Sequence, residues 1–253
     1  MQRRARLRIE IIIVLALSLG ASAVYSIVSI ADRLTRPAPL GQQSAAINQP
    51  QSSREWLDFT YQALDLAFGL AAVALVLYLL WMPRQGAFRR IGLDFTRPVR
   101  DLSTGFGMLA AIGIPGLALY ATGRALGWTV AVLPAPLDPH WWTIPMLILA
   151  ALKAALIEEV IVVGYLFTRL RELGVGSWAT IISAALLRGT YHLYQGFGPF
   201  IGNALMGVAF GWLYAKRGRT MPLVVTHWLL DIASFVGYPL AAAWWPSLFA
   251  VAA

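Results

Sequence analysis

Ala154-Ala155-Leu156-Ile157-Glu158-Glu159-Val160-Ile161-Val162-Val163-Gly164-Tyr165 sets two adjacent carboxylates inside an apolar run that starts near Trp141-Trp142 and ends at Arg169 and Arg171. As a helix, such a run is long enough to cross the ~30 Å hydrocarbon core of a bilayer. Ionisable groups in lipid are expensive, so each one needs a reason. Neighbouring residues point about 100° apart on a helix. One carboxylate can therefore face a water-filled cavity while the other turns to a neighbouring helix. Two carboxylates this close rarely both stay charged in a low dielectric, which suits general acid–base chemistry. The alternative is a structural ion pair with Lys153 or Arg188.

The whole chain shares this apolar character. Of its 253 residues, 58% are hydrophobic and 13% charged. Soluble domains sit near half apolar and roughly a quarter charged. The surplus apolar surface must face lipid, which excludes disorder and argues against a soluble cytosolic enzyme. Cysteine is absent, so disulfides, thiolate catalysis and Cys-ligated metals are excluded. The net charge is +8, but the cations lie between apolar runs and not on one face. That pattern points to basic loops that orient a membrane protein, not to nucleic-acid binding. Lys153 and Lys216 are the only lysines among 20 cations. The preference for arginine reads as the codon usage of a GC-rich genome. A multi-pass protein of a bacterial plasma membrane is the expectation.

Further apolar runs flank the first. Ile9 to Ile30 follows Arg3, Arg4, Arg6 and Arg8. Ala21-Ser22-Ala23 resembles a signal-peptide cleavage site, but the apolar run continues past it and favours a retained anchor. Asp32 to Glu55 is rich in Pro, Gln and Ser and reads as an exposed, mobile loop. A second span covers about 59–81, and a basic segment at 83–100 carries Arg84, Arg89, Arg90, Arg97 and Arg100. Later spans fall at about 102–121, 178–195, 200–214 and 222–238. Leu240 to Ala253 is apolar but short, and reads as a tilted eighth helix or an interfacial segment. The expected fold is all-α, a polytopic transmembrane bundle of roughly seven to eight helices. It divides into an N-terminal part, 1–139, a core of four helices, 140–238, and a short C-terminal helix, 239–253.

Crossing once per span from a cytoplasmic N-terminus places 83–100, 169–171 and 216–219 inside, and the poorly basic 122–140 and 196–199 outside. Gly207 and Gly211 form a GxxxG pair suited to close helix approach. No inverted repeat of the kind many transporters carry is visible.

The ionisable residues assigned to the spans are Asp65, Lys153, Glu158, Glu159, Arg188, His192, His227 and Asp231. Asp65 and Lys153 are available as isolated pairing partners. Arg188 and His192, four apart, share one helix face. His227 and Asp231 are also four apart, so Asp231 can orient the imidazole and fix its tautomer. A helix-to-helix hydrogen bond is the plainer alternative. At ~1.5 Å per residue, Glu158, His192 and His227 can meet in one layer. Such a cluster in lipid marks a functional site, open to hydrolysis, metal binding or proton-coupled transport.

On these residues the chain resembles the CPBP intramembrane proteases, which include the type II CAAX prenyl endopeptidases and the Abi, or bacteriocin-immunity, proteins. That family's pattern is Glu-Glu-x-x-x-Arg, then Phe-x-x-x-His, then His-x-x-x-Asn/Asp. Glu158-Glu159 matches the first motif, His192 the second, and His227 with Asp231 the third, in order across roughly 140–238. Two positions depart from the pattern: Val163 replaces the Arg and Arg188 the Phe. Our reading is that the cation has moved between helices and that Arg188 supplies the charge Val163 lacks; a drifted, inactive site is the alternative.

The resemblance implies peptide-bond hydrolysis within the membrane. By that analogy Glu158 and His192 activate water, His227 and Asp231 stabilise the oxyanion or complete the site, and Glu159 supports it. The family has been described both as metalloproteases and as glutamate proteases. Two histidines and three carboxylates suffice for zinc by count, with Glu158, His192 and His227 as the ligands. No HExxH helix is present, so the reading leans toward a Glu-activated water and leaves the cofactor open between zinc and none. The expected partners are a peptide or membrane-protein substrate and the lipid bilayer. A non-proteolytic immunity or scaffold protein on the same fold, and a small proton-coupled transporter, are the competing readings.

Overall fold

The computed structural model describes residues 2–133, 135–138 and 140–244. Its helices in chain order are α1 (Gln2–Ala16), α2 (Leu19–Leu34), α3 (Glu55–Gly69), α4 (Ala71–Leu80), α5 (Ala87–Ile91) and α6 (Pro98–Ala125). They continue with α7 (Thr143–Glu158), α8 (Leu166–Glu172), α9 (Ser177–Tyr191), α10 (Phe197–Arg217), α11 (Met221–Ile232) and α12 (Tyr238–Trp244). π-Helical segments at Glu159–Tyr165 and Ala233–Gly237 join α7 to α8 and α11 to α12. The all-α class expected from the apolar runs is the observed class.

Glu55–Leu80, Pro98–Ala125 and Met221–Trp244 are each long and apolar enough to cross a membrane. The first expected span, Ile9 to Ile30, is not one straight helix. It is the pair α1–α2, bent by 55°. Ser18 causes the break by donating its hydroxyl to the Val14 carbonyl at 2.6 Å, a hydrogen bond that bends helices. If the bent pair is one span, a fourth is available. The other expected spans fall on α7–α8, α9 and α10, the helices that form the middle of the bundle.

Two further segments differ from their sequence reading. Asp32 to Glu55 is not irregular throughout. Its Ser44–Ala46 (β1) pairs in parallel with Ala131–Leu133 (β2), and Gln43 donates to the carbonyls of Arg33 and Ala38, each at 2.8 Å. The seventh span does not stop at 238, because the π-helical turn carries it on into α12. The expectation for 245–253 lies outside the described residues.

Ion pairs gather the basic segments at one end of the bundle. Arg90 pairs with Glu172, and Arg219 with Asp94 and Asp101. Arg169, itself buried, donates to Glu10 at 2.7 Å and to the Leu79 carbonyl at 2.7 Å. At the other end, Val130 donates to the Gln195 carbonyl and Ala131 to that of Gln43. The basic segments 83–100, 169–171 and 216–219 thus meet at one end, and the poorly basic segment around 130 meets Gln195 and Gln43 at the other.

The core centres on the run Val160 to Phe167, which no solvent reaches beyond a few per cent of any side chain. α9 and α10 pack tightly against each other. A Cβ added to Gly207 would lie 2.8 Å from the Ala185 Cα, and one added to Gly211 would lie 2.9 Å from the Phe167 ring. The expected GxxxG role is therefore met, because only hydrogen at these positions leaves room for the neighbouring chain.

Candidate active site

α7 delivers Glu158 as its last residue, and Glu159 opens the π-helical segment. π turns occur mostly as local bulges, often at functional sites. β-Branched Val160 to Val163 fill the core behind them, leaving the two carboxylates as a polar break. Glu159 is fully buried, whereas the Glu158 side chain keeps 11% exposure. The pair therefore splits as adjacent helical positions must: Glu159 is enclosed by neighbouring helices, and Glu158 keeps slight exposure.

Glu159 lies between a guanidinium and an imidazole. Arg188 Nη2, from α9, reaches its Oε1 at 2.5 Å, and His227 Nδ1, from α11, reaches the same oxygen at 2.8 Å. Arg188 Nη1 stands 3.5 Å from Glu158 Oε2. The Arg188 side chain is fully buried and lies over the Phe210 ring at 5.3 Å, a cation–π contact that α10 supplies. Asp65 and Lys153, outside this cluster, pair with each other as their positions allowed.

Glu158 is held on one oxygen only. Tyr191 donates its hydroxyl to Oε2 at 2.6 Å. Among the described residues Oε1 takes no hydrogen bond. Tyr191 was missed in reading the sequence; the available signal was a phenol directly before His192, in an apolar helix, where a hydroxyl needs a partner. Glu10 was missed too. A lone acid within the run from Ile9, it accepts from Tyr165 at 3.1 Å and from Arg169.

His192 caps α9 and does not sit inside a longer helix, because the chain turns into a 3-10 segment at Leu193–Gln195 and then reaches Gly196 at φ 106°. The Tyr194 amide donates to the buried Ser26 hydroxyl of α2 at 2.6 Å, which fixes that turn. His192 Nδ1 lies 3.1 Å from the Arg188 carbonyl. A carbonyl only accepts, so Nδ1 carries the proton and the neutral ring presents Nε2 as an acceptor.

His227 is oriented chiefly by Glu159. Its Nε2 lies 3.5 Å from Asp231 Oδ2, beyond a hydrogen bond. α11 is itself fixed by Trp228 Nε1 donating to the Ile148 carbonyl at 3.0 Å and Thr226 to that of Gly105 at 3.3 Å. Glu158, His192, His227, Asp231 and Arg188 lie close enough for their charges to act on one another. The result is two layers: Arg188, Glu159, Tyr191 and His227 form a buried floor, and Glu158, His192 and Asp231 line the more accessible side.

Three atoms of Glu158, Glu159 and His227 come within 4.8 Å of one another, a grouping that matches metal donors by count. This set is not the expected Glu158, His192 and His227. The guanidinium of Arg188 already lies on both carboxylates, and it stays charged at any accessible pH. The His227 Nδ1 is also committed to Glu159. In this arrangement the residues do not fit a divalent ion, since the ion would share its ligands with a fixed cation.

Residues 140–233 match a family model described as type II CAAX prenyl endopeptidase Rce1-like. That match supports membership of the CPBP family, a family of proteases. It covers α7 through α11, and so spans the whole cluster. Comparison with curated proteins and with solved structures found no match.

Proposed function

We propose that the protein is an intramembrane endopeptidase that hydrolyses a peptide bond of a membrane-associated protein or peptide with a water activated by Glu158 and His192. One observation carries the reading. Glu158 is pinned through Oε2 by Tyr191, and its Oε1 is left unbonded on the accessible side beside a histidine whose Nε2 is an acceptor. A base held through one oxygen keeps its second in a fixed direction, which is the positioning that general-base catalysis needs.

In this scheme water gives a proton to Glu158 while its oxygen attacks the peptide carbonyl. His192 Nε2 accepts the second water hydrogen and orients the attack. The carbonyl oxygen becomes an oxyanion, and His227 Nε2, not hydrogen-bonded to Asp231, is the donor that meets it. Asp231 and Glu159 hold the charge of that ring. Glu158 returns its proton to the leaving amine as the carbon–nitrogen bond breaks. Arg188 is a positioning residue: it neutralises the buried Glu159 and so leaves Glu158 as the base. By the positive-inside rule the basic end of the bundle faces the cytoplasm. No step runs through a metal.

The test is cleavage of a panel of quenched fluorescent peptides by the purified protein in detergent, with and without a chelator. Glu158→Gln and His192→Ala should each lose about 10²–10⁴-fold, the usual contribution of a positioned acid–base group. Chelator should leave the rate unchanged. Cleavage that survives both substitutions would refute the proposal. A non-proteolytic module on the same fold is the second reading, favoured by the guanidinium that lies on both carboxylates. It predicts no cleavage by the wild type of any peptide in the panel, nor of transmembrane substrates presented in liposomes.

A further inference from the structure

α6 and α11 begin side by side at the basic end of the bundle. There, Arg97, Arg100, Lys216, Arg217, Arg219 and Asp101 line a cleft of about 180 Å³. The single acid is already matched. Arg219 donates from Nε to both Asp101 oxygens at 3.1 Å and from Nη2 to Oδ2 at 2.6 Å, and it also holds Asp94 at 3.0 Å. The other four cations have no acid partner among the described residues. Arg217 donates to the Thr104 hydroxyl at 2.8 Å, and Lys216 lies over the exposed Trp212 ring at 5.8 Å. Four exposed cations around one concavity, with no such partner, make it a favourable place for an anion.

The surface beside the cleft is apolar and open. Val99 is 79% exposed, Leu102 47% and Phe106 56%, and Phe95 just before them is 83% exposed. Positions 99, 102 and 106 follow helical spacing, so they form one stripe that descends α6 from the cations. α6 and the helix starting at Met221 are both long and apolar enough to cross a membrane, so the cleft lies at the boundary where their apolar lengths begin. A cationic socket above an apolar stripe matches a molecule with a phosphate at one end and a hydrocarbon chain at the other.

We propose that this cleft is a binding site for a phosphate-bearing anion, the headgroup of an anionic phospholipid whose acyl chain lies along α6. Arg100 and Arg97 present forked donors that suit phosphate oxygens, and Lys216 and Arg217 add charge from the opposite wall. The site is separate from the Glu158 cluster, and its occupation does not depend on the protease reading.

Native mass spectrometry of the full-length protein in neutral detergent tests this, with phosphatidylglycerol and phosphatidylcholine as probes. The wild type should retain phosphatidylglycerol preferentially. Each surface cation contributes about 5-fold to anionic-lipid binding, so Arg97→Gln/Arg100→Gln/Lys216→Gln together should weaken retention roughly 100-fold. All three side chains are exposed, and an unchanged melting temperature will show that the triple variant folds. Arg84→Gln/Arg89→Gln, a control elsewhere in the same basic segment, should retain the lipid as the wild type does. Equal retention of the two lipids, or a triple variant that binds like the control, would overturn the site. If glycerol 3-phosphate or inorganic phosphate binds as tightly as phosphatidylglycerol, the anion is a soluble one and the lipid assignment fails.

Discussion

Arg188 Nη2 stands 2.5 Å from Glu159 Oε1 with both side chains fully shielded from solvent. A buried ion pair gives little net stability, but removing one partner strands the other charge at a cost of about 3–5 kcal/mol. Arg188→Leu should therefore destabilise the detergent-solubilised protein by that amount, and adding Glu159→Gln should recover much of it. An Arg188→Leu variant that unfolds at the wild-type temperature would show that the pair carries no such burden. The same relationship predicts activity. Arg188→Phe alone should abolish cleavage, and Arg188→Phe with Val163→Arg should restore part of it. Retained activity in the single variant with none in the double would sink the idea that the cation has moved between helices.

Tyr191 reaches Glu158 through one hydroxyl at 2.6 Å. Hydrogen bonds to charged groups contribute about 1.5–3 kcal/mol, so Tyr191→Phe should lower kcat/KM roughly 10- to 100-fold if the bond holds the base in its reacting geometry. The loss should appear in kcat, since the phenol does not face substrate. A variant with normal kcat and a raised KM would move Tyr191 from positioning the base to shaping the binding surface.

Asp94 sets a pH dependence at the basic end. Burial works to raise its carboxyl, but hydrogen bonds from the Thr96 hydroxyl and amide and from Arg219 outweigh it and hold the group at about 2 against an ordinary 3.8. A carboxyl held below its unfolded value contributes stability above that unfolded value and loses it as pH falls through the folded one. Asp94→Asn should melt below the wild type at neutral pH, and the gap should close between about pH 4 and pH 2. Melting curves of both proteins across that range decide it; a gap that does not change with pH would mean the charge is not what stabilises the turn.

Gly207 gives α9 its seat. A methyl there meets the Ala185 Cα at 2.8 Å and the Arg188 Cδ at 3.4 Å. Overpacking of this kind costs about 1–3 kcal/mol, so Gly207→Ala should lower thermal stability and, by displacing Arg188, reduce cleavage as well. The exposed Gly107, whose added Cβ would meet nothing within 4 Å, is the control and should tolerate alanine.

The apolar runs, the basic segments between them and the Glu158-Glu159, His192 and His227-Asp231 positions were all legible in the chain. Each rests on a local cost: apolar surface must leave water, and a charge placed among apolar residues must be matched. Those costs are written in adjacent residues, so composition and spacing carry them. The partners were not legible. Glu159, and not Asp231, accepts the hydrogen bond of His227, Tyr191 holds Glu158, and Glu10 meets Arg169 from the far end of the chain. The sequence also did not reveal the bend at Ser18, the π-helical turns after Glu158 and after Ile232, or the strand pairing of Ser44–Ala46. These depend on how each helix is rotated and how deep it sits against its neighbours. That rotation is settled by packing across the bundle, such as the close contact of α10 with α9 through Gly207. The sequence thus determined which residues had to find partners, and only the tertiary structure decided which partners they found, because a side chain's reach is set by distances between helices and not by distances along the chain.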